Sequence, residues 1–306
     1  MADPSAPVLA IDIGGTKLAA ALVDPDGTLR RAQRVPTGAQ PWRSLAGLLD
    51  DVRGGEEVAG VGVGCGGPMR WPEAYIAPLN TPGWRDGFAL GDALRGQFPG
   101  LPVRVHNDVV ALAAGEHWQG AGRGVDHLLG MVVSTGVGGG LISAGRVVDG
   151  RTGNAGHVGH LVVEPDGPPC GCGGRGCVEA VARGPATVAW AQERGSGARN
   201  GGELAELARA GDEVALAAFA RSGRALGLGI ASAAAAYDVG LVLLGGGLSQ
   251  VGEPLWGPLR QTVAVHARLG FLADLRVEPP ALGQDSGLVG AAALVHRGDR
   301  YWSPTD

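Results

Sequence analysis

Three cysteines and two histidines crowd into residues 157–179, HVGHLVVEPDGPPCGCGGRGCVE. Cys170, Cys172 and Cys177 supply three thiolates, and His160 upstream supplies an imidazole. Together they complete a tetrahedral zinc set and leave no position open for water. A closed set of this kind is structural, and it pins the loop that carries it. His157 lies before the ligands and Glu179 after them, so a bound zinc would hold His157, His160 and Glu179 against a substrate. A disulfide framework would leave one of the three cysteines unpaired, and no secretory signal precedes residue 8. Cys65 follows a hydrophobic strand far from this loop and reads as a buried thiol.

A second kind of chemistry is written in glycine. The chain has 56 glycines in 306 residues, against an average of about 7%. They are not periodic, and they concentrate in turns after apolar strands. Gly14, Gly15 and Thr16 sit between Asp12 and Lys17. Such a turn can present N–H groups to phosphate oxygens, although an ordinary glycine hairpin reads the same way. Ser134 to Gly140 repeats the pattern, and Gly245-Gly246-Gly247 closes a third strand. The first turn leads into a hairpin rather than straight into a helix, unlike a Rossmann unit. It also lacks the Gly-Lys-Ser/Thr of a P-loop. Asn107-Asp108 stands at the start of a helical segment, where the local pattern favours Asp108 as its N-cap.

The elements that must position these groups follow from periodicity and breakers. Strands are expected at 8–13, 18–23, 28–35, 58–64, 103–105, 128–134, 141–143, 241–244 and 275–277. Helices are expected at 42–52, 90–98, 109–119, 186–192, 203–209, 213–237 and 287–295. Residues 72–87 read as a long loop, and 135–140 as a glycine turn. Strand, glycine turn, strand, helices and strand occur twice. Two related α/β lobes with a cleft between them is the simplest architecture. The expected division is a small lobe, 1–107, completed by 287–306, and a large lobe, 108–286, carrying the zinc loop. Trp71, Trp84 and Trp118 could stack on a ring, but packing is the more ordinary use of such residues.

The net charge is −5 and no cluster of Lys and Arg exists, which argues against nucleic acid as a partner. No apolar run is expected to reach the roughly 18 residues that span a bilayer. The expectation is a cytoplasmic protein, where thiols stay reduced and available for metal.

In order along the chain, DIGGTK at 12–17, PGW at 82–84, ND at 107–108, STGVGGG at 134–140, GHVGH at 156–160, CGCGGRGCVEA at 170–180 and LGGG at 244–247 resemble the ROK sugar kinases. That family (repressor, open reading frame, kinase) includes bacterial glucokinases and N-acetylmannosamine kinases. The resemblance spans nearly the whole chain. It implies the two-lobed actin-like ATPase fold, related to ribonuclease H, with a zinc-pinned loop. It implies an ATP-dependent kinase acting on the 6-hydroxyl of a hexose or N-acetylhexosamine, with Mg²⁺ and a structural Zn²⁺, and a homodimer or homotetramer. The family's repressors carry an N-terminal DNA-binding domain, which the few residues before the first strand are not expected to hold.

Carried over residue by residue, the resemblance makes Asp108 the catalytic base, a role compatible with capping. Asp12 would help hold Mg²⁺ through water. Gly14, Gly15, Thr16 and Lys17, with Thr135, Gly136 and Gly138, would face the phosphates. Gly245 and Gly246 would lie against the adenosine. Asn107, Gly67, His157, His160 and Glu179 would bind sugar, His160 with the ring nitrogen that does not face zinc. One departure stands out. Glucokinases of this family usually have Glu at the position of His157, whereas AGHVGH looks like the N-acetylmannosamine kinases. The substitution therefore raises 2-acetamido sugars beside glucose. Other readings are a kinase of a polyol such as a cyclitol, or a non-catalytic sugar sensor. A sensor would have lost Asp108 or the phosphate turns, and all are present. An ATPase or chaperone of the same superfamily would not need the zinc loop.

Overall fold

The computed structural model of the chain describes residues 3–78 and 81–302. Two compact units emerge. The first comprises residues 1–126, 140–156 and 280–306, and the second 127–139 and 157–279.

The first unit opens with β1 (Val8–Ile13), β2 (Lys17–Val23) and β3 (Leu29–Pro36), followed by α1 (Pro41–Arg53) and β4 (Gly60–Cys65). Strands β5 (Met69–Arg70), β6 (Tyr75–Ile76) and β7 (Phe88–Ala89) form a small antiparallel sheet. Helix α2 (Leu90–Gln97), β8 (Val103–Asn107) and α3 (Asp108–Gln119) follow. The main sheet has the order β3-β2-β1-β4-β8, antiparallel through the opening strands and parallel from β1 to β8. Strand β1 is apolar on both faces because both are covered. Leu9, Ile11 and Ile13 belong to the core that includes Leu45 and Leu49 of α1. Val8 and Ala10 pack in a second core with Leu288, Ala291 and Ala292. Each buried Leu or Ile contributes about 1.5–3 kcal/mol.

The chain continues through β9 (Leu128–Val133), β10 (Val137–Ser143) and β11 (Arg146–Val147). In the second unit come α4 (Val178–Ala182), α5 (Gly184–Gln192), α6 (Gly201–Arg209), α7 (Glu213–Tyr237), β12 (Leu241–Gly245), α8 (Glu253–His266) and β13 (Arg276–Glu278). The first unit then ends with α9 (Ser286–His296) and α10 (Gly298–Tyr301). The second five-stranded sheet, β11-β10-β9-β12-β13, repeats the order of the first. Strands β9, β12 and β13 are parallel, with Leu241 opposite Leu128 and Arg276.

Four expectations need correction. Residues 72–87 are not a plain loop: β6 and a short 3₁₀ turn, Pro82–Trp84, lie within them. Strands of two residues are too short to show a period of two. Residues 137–140 are not a turn but part of β10. Gly140 is needed there for close packing, since a Cβ would lie 2.5 Å from the Val110 Cα of α3. Helix α8 is absent from the expected helices because Pro254 and Pro258 read as breakers. Pro254 sits in its first turn, and Pro258 lies inside a helix whose Thr262 hydroxyl donates to the Pro258 carbonyl. Lastly, α7 is long and apolar enough to cross a membrane by length and composition. Its Ala- and Gly-rich surface is instead spent on packing: Phe219, Leu226 and Ile230 are fully buried.

The three tryptophans are packing residues. Trp84 is 3% exposed and stacks on Phe88 at 4.8 Å between ring centroids. Trp71 and Trp118 lean on the two cores of the first unit. Leu79 and Asn80, within the expected long loop, lie outside the described residues.

Candidate active site

In the first unit, two carboxylates come together at the ends of parallel strands. Asp12 lies on β1, paired with Gly64 of β4, and Asp108 opens α3 directly after β8. The cap of α3 is Asn107 rather than Asp108. Its Oδ1 accepts the Val109 N–H at 3.0 Å, and Asp108 Oδ1 accepts the same N–H at 2.9 Å. The cap contributes about 1 kcal/mol, and it orients Asn107 so that its amide donors stay available to a ligand.

Burial, and then the neighbouring Asp12 carboxylate, push Asp108 up to about 7. Burial also raises Asp12, although Lys17 and Arg34 pull the other way. Below the pair, burial and both carboxylates hold the Cys65 thiol neutral, well above its usual range. Two crowded carboxylates with raised pKa values are a poor anion site and a good one for a hard divalent cation. The donor set therefore fits Mg²⁺, toward which Asp12 would turn its carboxylate. A carboxylate titrating near neutrality is also suited to accept a proton from a hydroxyl.

The glycine turn after β1 is tighter than its sequence implied. The Gly14 N–H is spent on the Lys17 carbonyl at 3.0 Å, while the Gly14 carbonyl accepts from the Thr37 hydroxyl at 2.9 Å. An anion at this turn would meet Gly15 and Thr16. Lys17 is exposed at the start of β2, and Gly67 lies in the link from β4 to β5.

In the second unit, the ligand atoms of His160, Cys170, Cys172 and Cys177 all lie within 4.8 Å of one another. Cys172 and Cys177 sulfurs are 3.9 Å apart, and Cys170 Sγ is 3.7 Å from His160 Nδ1. Zinc bonds of about 2.3 Å to sulfur and about 2.0 Å to nitrogen, set tetrahedrally, need separations of about 3.6–3.8 Å. The cluster fits zinc. Without a metal, burial and the adjoining thiols push Cys177 up to about 12. His160 turns Nδ1 to the cluster, which leaves Nε2 for a ligand. The rings of His157 and His160 lie 6.3 Å apart. Glu179, in the first turn of α4, accepts the Val137 N–H at 2.9 Å through Oε2. The zinc loop is thereby tied to the turn that holds Thr135 and Gly136.

The same unit contains a cavity of about 660 Å³, lined among others by Thr135, Pro185, Val188, Asn200, Gly247 and Val251. Of Gly245, which ends β12, and Gly246 and Gly247, which follow it, Gly247 lines it. Gly246 serves the backbone instead, since its φ is +97° and a Cβ there would lie 2.3 Å from the Val133 carbonyl oxygen. The walls given by α5 and α6 were missed from sequence. Asn200, the cap of α6, was the available signal, because it sets that helix's N-terminal N–H groups at the rim.

The sequence pattern of the ROK family matches residues 8–298. A glucokinase of Thermotoga maritima is 34% identical over 95% of this chain and 98% of its own. An N-acetylmannosamine kinase of Escherichia fergusonii is 36% identical over 94% of this chain and 97% of its own. The crystal structure of a Streptomyces griseus glucokinase, in complex with glucose and AMPPNP, superposes with a TM-score of 0.83. It is 34% identical and covers 95% of this chain and 100% of the other.

Proposed function

Because the chain belongs to the ROK family, we propose that it transfers the γ-phosphoryl group of ATP to the 6-hydroxyl of a hexose or N-acetylhexosamine. It is an ATP-dependent carbohydrate kinase. The observation that carries this reading is Asp108, a buried carboxylate raised to about 7 beside Asp12. Phosphoryl transfer asks the protein mainly for positioning and charge neutralisation, plus somewhere for the hydroxyl proton to go. Asp108 takes that proton, and Asn107 donates to the sugar. Asp12 would help hold Mg²⁺, which would neutralise charge on the transferring phosphates. Gly15, Thr16, Lys17, Thr135, Gly136 and Gly138 receive phosphate oxygens. His160, Cys170, Cys172 and Cys177 would hold zinc, which would fix the loop from which His157, His160 Nε2 and the second oxygen of Glu179 would meet hydroxyls. This activity belongs in the cytoplasm. A panel of glucose, N-acetylmannosamine and a cyclitol, each followed by coupled ADP release, tests the reading. Sugar-dependent ADP release from a hexose supports it; release from the cyclitol alone replaces it.

The cavity between α5, α6 and the residues after β12 takes the nucleoside. Gly247→Val tests this. A Cβ at Gly247 meets the Ser134 hydroxyl no closer than 3.8 Å, so the fold tolerates the change while the cavity loses space. KM for ATP is expected to rise about tenfold, as a misfit of about 1–3 kcal/mol implies, with KM for sugar within about twofold. An unchanged KM for ATP places the nucleoside elsewhere.

Identity does not separate the substrates: 34% to the glucokinase and 36% to the N-acetylmannosamine kinase. His157 favours the second reading. A carboxylate accepts from two neighbouring hydroxyls, whereas an imidazole offers at most one acceptor and can donate to an acetamide carbonyl. His157→Glu is expected to shift the ratio of kcat/KM toward glucose by about tenfold or more, since a buried polar mismatch costs about 1–3 kcal/mol. Zinc content should not change. A shift below about twofold moves specificity to another residue.

A further inference from the structure

We propose that His106 and Asp149 form a positioning pair that sets the orientation of Asn107 and, through it, of Asp108. The inference rests on the proposed roles of those two residues, and it assigns a function to a histidine that those roles leave unused.

Among the described residues, strand β8 is the edge of its sheet, next to β4 alone. At an edge, alternate N–H groups point away from the ladder and need another partner. The Asn107 N–H finds one in its own neighbour, donating to His106 Nδ1 at 2.8 Å in a buried setting. That bond requires Nδ1 to be the bare nitrogen of the ring, so the proton sits on Nε2. His106 Nε2 in turn donates to Asp149 Oδ1 at 2.9 Å. A carboxylate accepts only, and it therefore selects the tautomer that the Asn107 bond needs.

The surroundings hold the ring still. The His106 side chain is 1% exposed and Asp149's 13%. The imidazole lies 5.6 Å from the Trp71 ring and 6.3 Å from the Trp302 ring, the latter edge-on. The segment that carries Asp149 is fastened to the same unit twice more. Gly153 lies against the Trp71 side chain, and Asn154 Nδ2 donates to the Met69 carbonyl at 3.2 Å. Asp149 is thus presented from a fixed backbone. A hydrogen bond to a strand-end histidine is an expensive way merely to fill space among tryptophans. Its consequence falls on the peptide that precedes the capping Asn107 and the carboxylate of Asp108.

The two bonds can be separated by isosteres. Gln at position 106 keeps an amide near Nε2 but loses the acceptor for Asn107. Asn keeps a carbonyl near Nδ1 but loses the reach to Asp149. His106→Gln is expected to lower kcat/KM for sugar by about 10- to 100-fold, the effect of a small displacement of reacting groups. His106→Asn should keep it within about fivefold. A packing role alone would lower both in step with their melting temperatures. Asp149→Asn can offer an amide proton to Nε2 and so turn the tautomer, the fault expected when a histidine's orienting carboxylate becomes an amide. Long-range ¹H–¹⁵N spectra should then show His106 Nδ1 unprotonated in the wild type and protonated, wholly or in part, in Asp149→Asn.

Asp108→Asn is assayed alongside. If it abolishes turnover while His106→Gln stays within about twofold of wild type, the positioning pair is wrong and the reading of Asp108 stands. A proton on His106 Nδ1 in the wild type also overturns the pair. If Asp108→Asn turns over normally, the reading itself has failed, and the pair has no base to position.

Discussion

Asp108→Asn is expected to lower kcat by about two to four orders of magnitude, the range for loss of a general base, while sugar binding survives. The amide keeps the carbonyl oxygen that accepts from the Val109 N–H, so the start of α3 is preserved. What disappears is the group able to take a proton near neutrality. The wild type should show an acid limb in kcat/KM at about pH 7, set by Asp108 in the free enzyme. Stability should move the other way. An acid raised from 3.8 to about 7 on folding binds its proton more tightly in the folded state. Its contribution is fully present below the unfolded value and is lost as pH rises through about 7. Asp108→Asn is free of that loss, so it should melt above the wild type at pH 8, with the gap narrowing toward pH 5. Calorimetry at the two pH values checks the sign. A variant less stable than wild type at pH 8 would mean that the carboxylate is not strained by its surroundings.

Cys172→Ser should empty the zinc site, lower the melting temperature and reduce kcat/KM by about 10- to 100-fold. Cys172 is exposed, and an exposed substitution ordinarily changes stability by no more than about 0.5 kcal/mol. A large loss can then be traced to the metal, whose binding is coupled to folding of its loop. Activity falls because Glu179, two residues past the last ligand, loses its hold on the Val137 N–H. Metal analysis of protein never exposed to chelator should find one zinc per chain in the wild type and none in the variant. Wild-type protein with less than half occupancy contradicts the assignment.

Much of this was legible before any coordinates. The gathering of His160, Cys170, Cys172 and Cys177 into one cluster that fits zinc was readable because a tetrahedral metal needs four donors, and these four have no better joint use. The strands β1, β4, β9 and β12 were readable because fully covered strands are continuous apolar runs. What stayed hidden depended on contacts distant in sequence. The glycines of β10 look like a turn until the close approach of Val110 is known. Pro254 and Pro258 mask α8, whose reward is tertiary packing on α7. The cavity wall from α5 and α6 carries no motif, because a wall is made by shape more than by residue type. In the sequence His106 is a mere neighbour of Asn107, because its partner Asp149 lies 43 residues away.

The most direct test of the central claim is the identity of the product. Wild-type protein and Asp108→Asn are incubated side by side with ATP, Mg²⁺ and either glucose or N-acetylmannosamine, and phosphorus NMR with carbon coupling locates the new ester. The account predicts one sugar phosphate, esterified at the 6-position, formed with stoichiometric ADP by the wild type and at a small fraction of that rate by the variant. Release of inorganic phosphate without a sugar ester, or equal ester formation by both proteins, would contradict it.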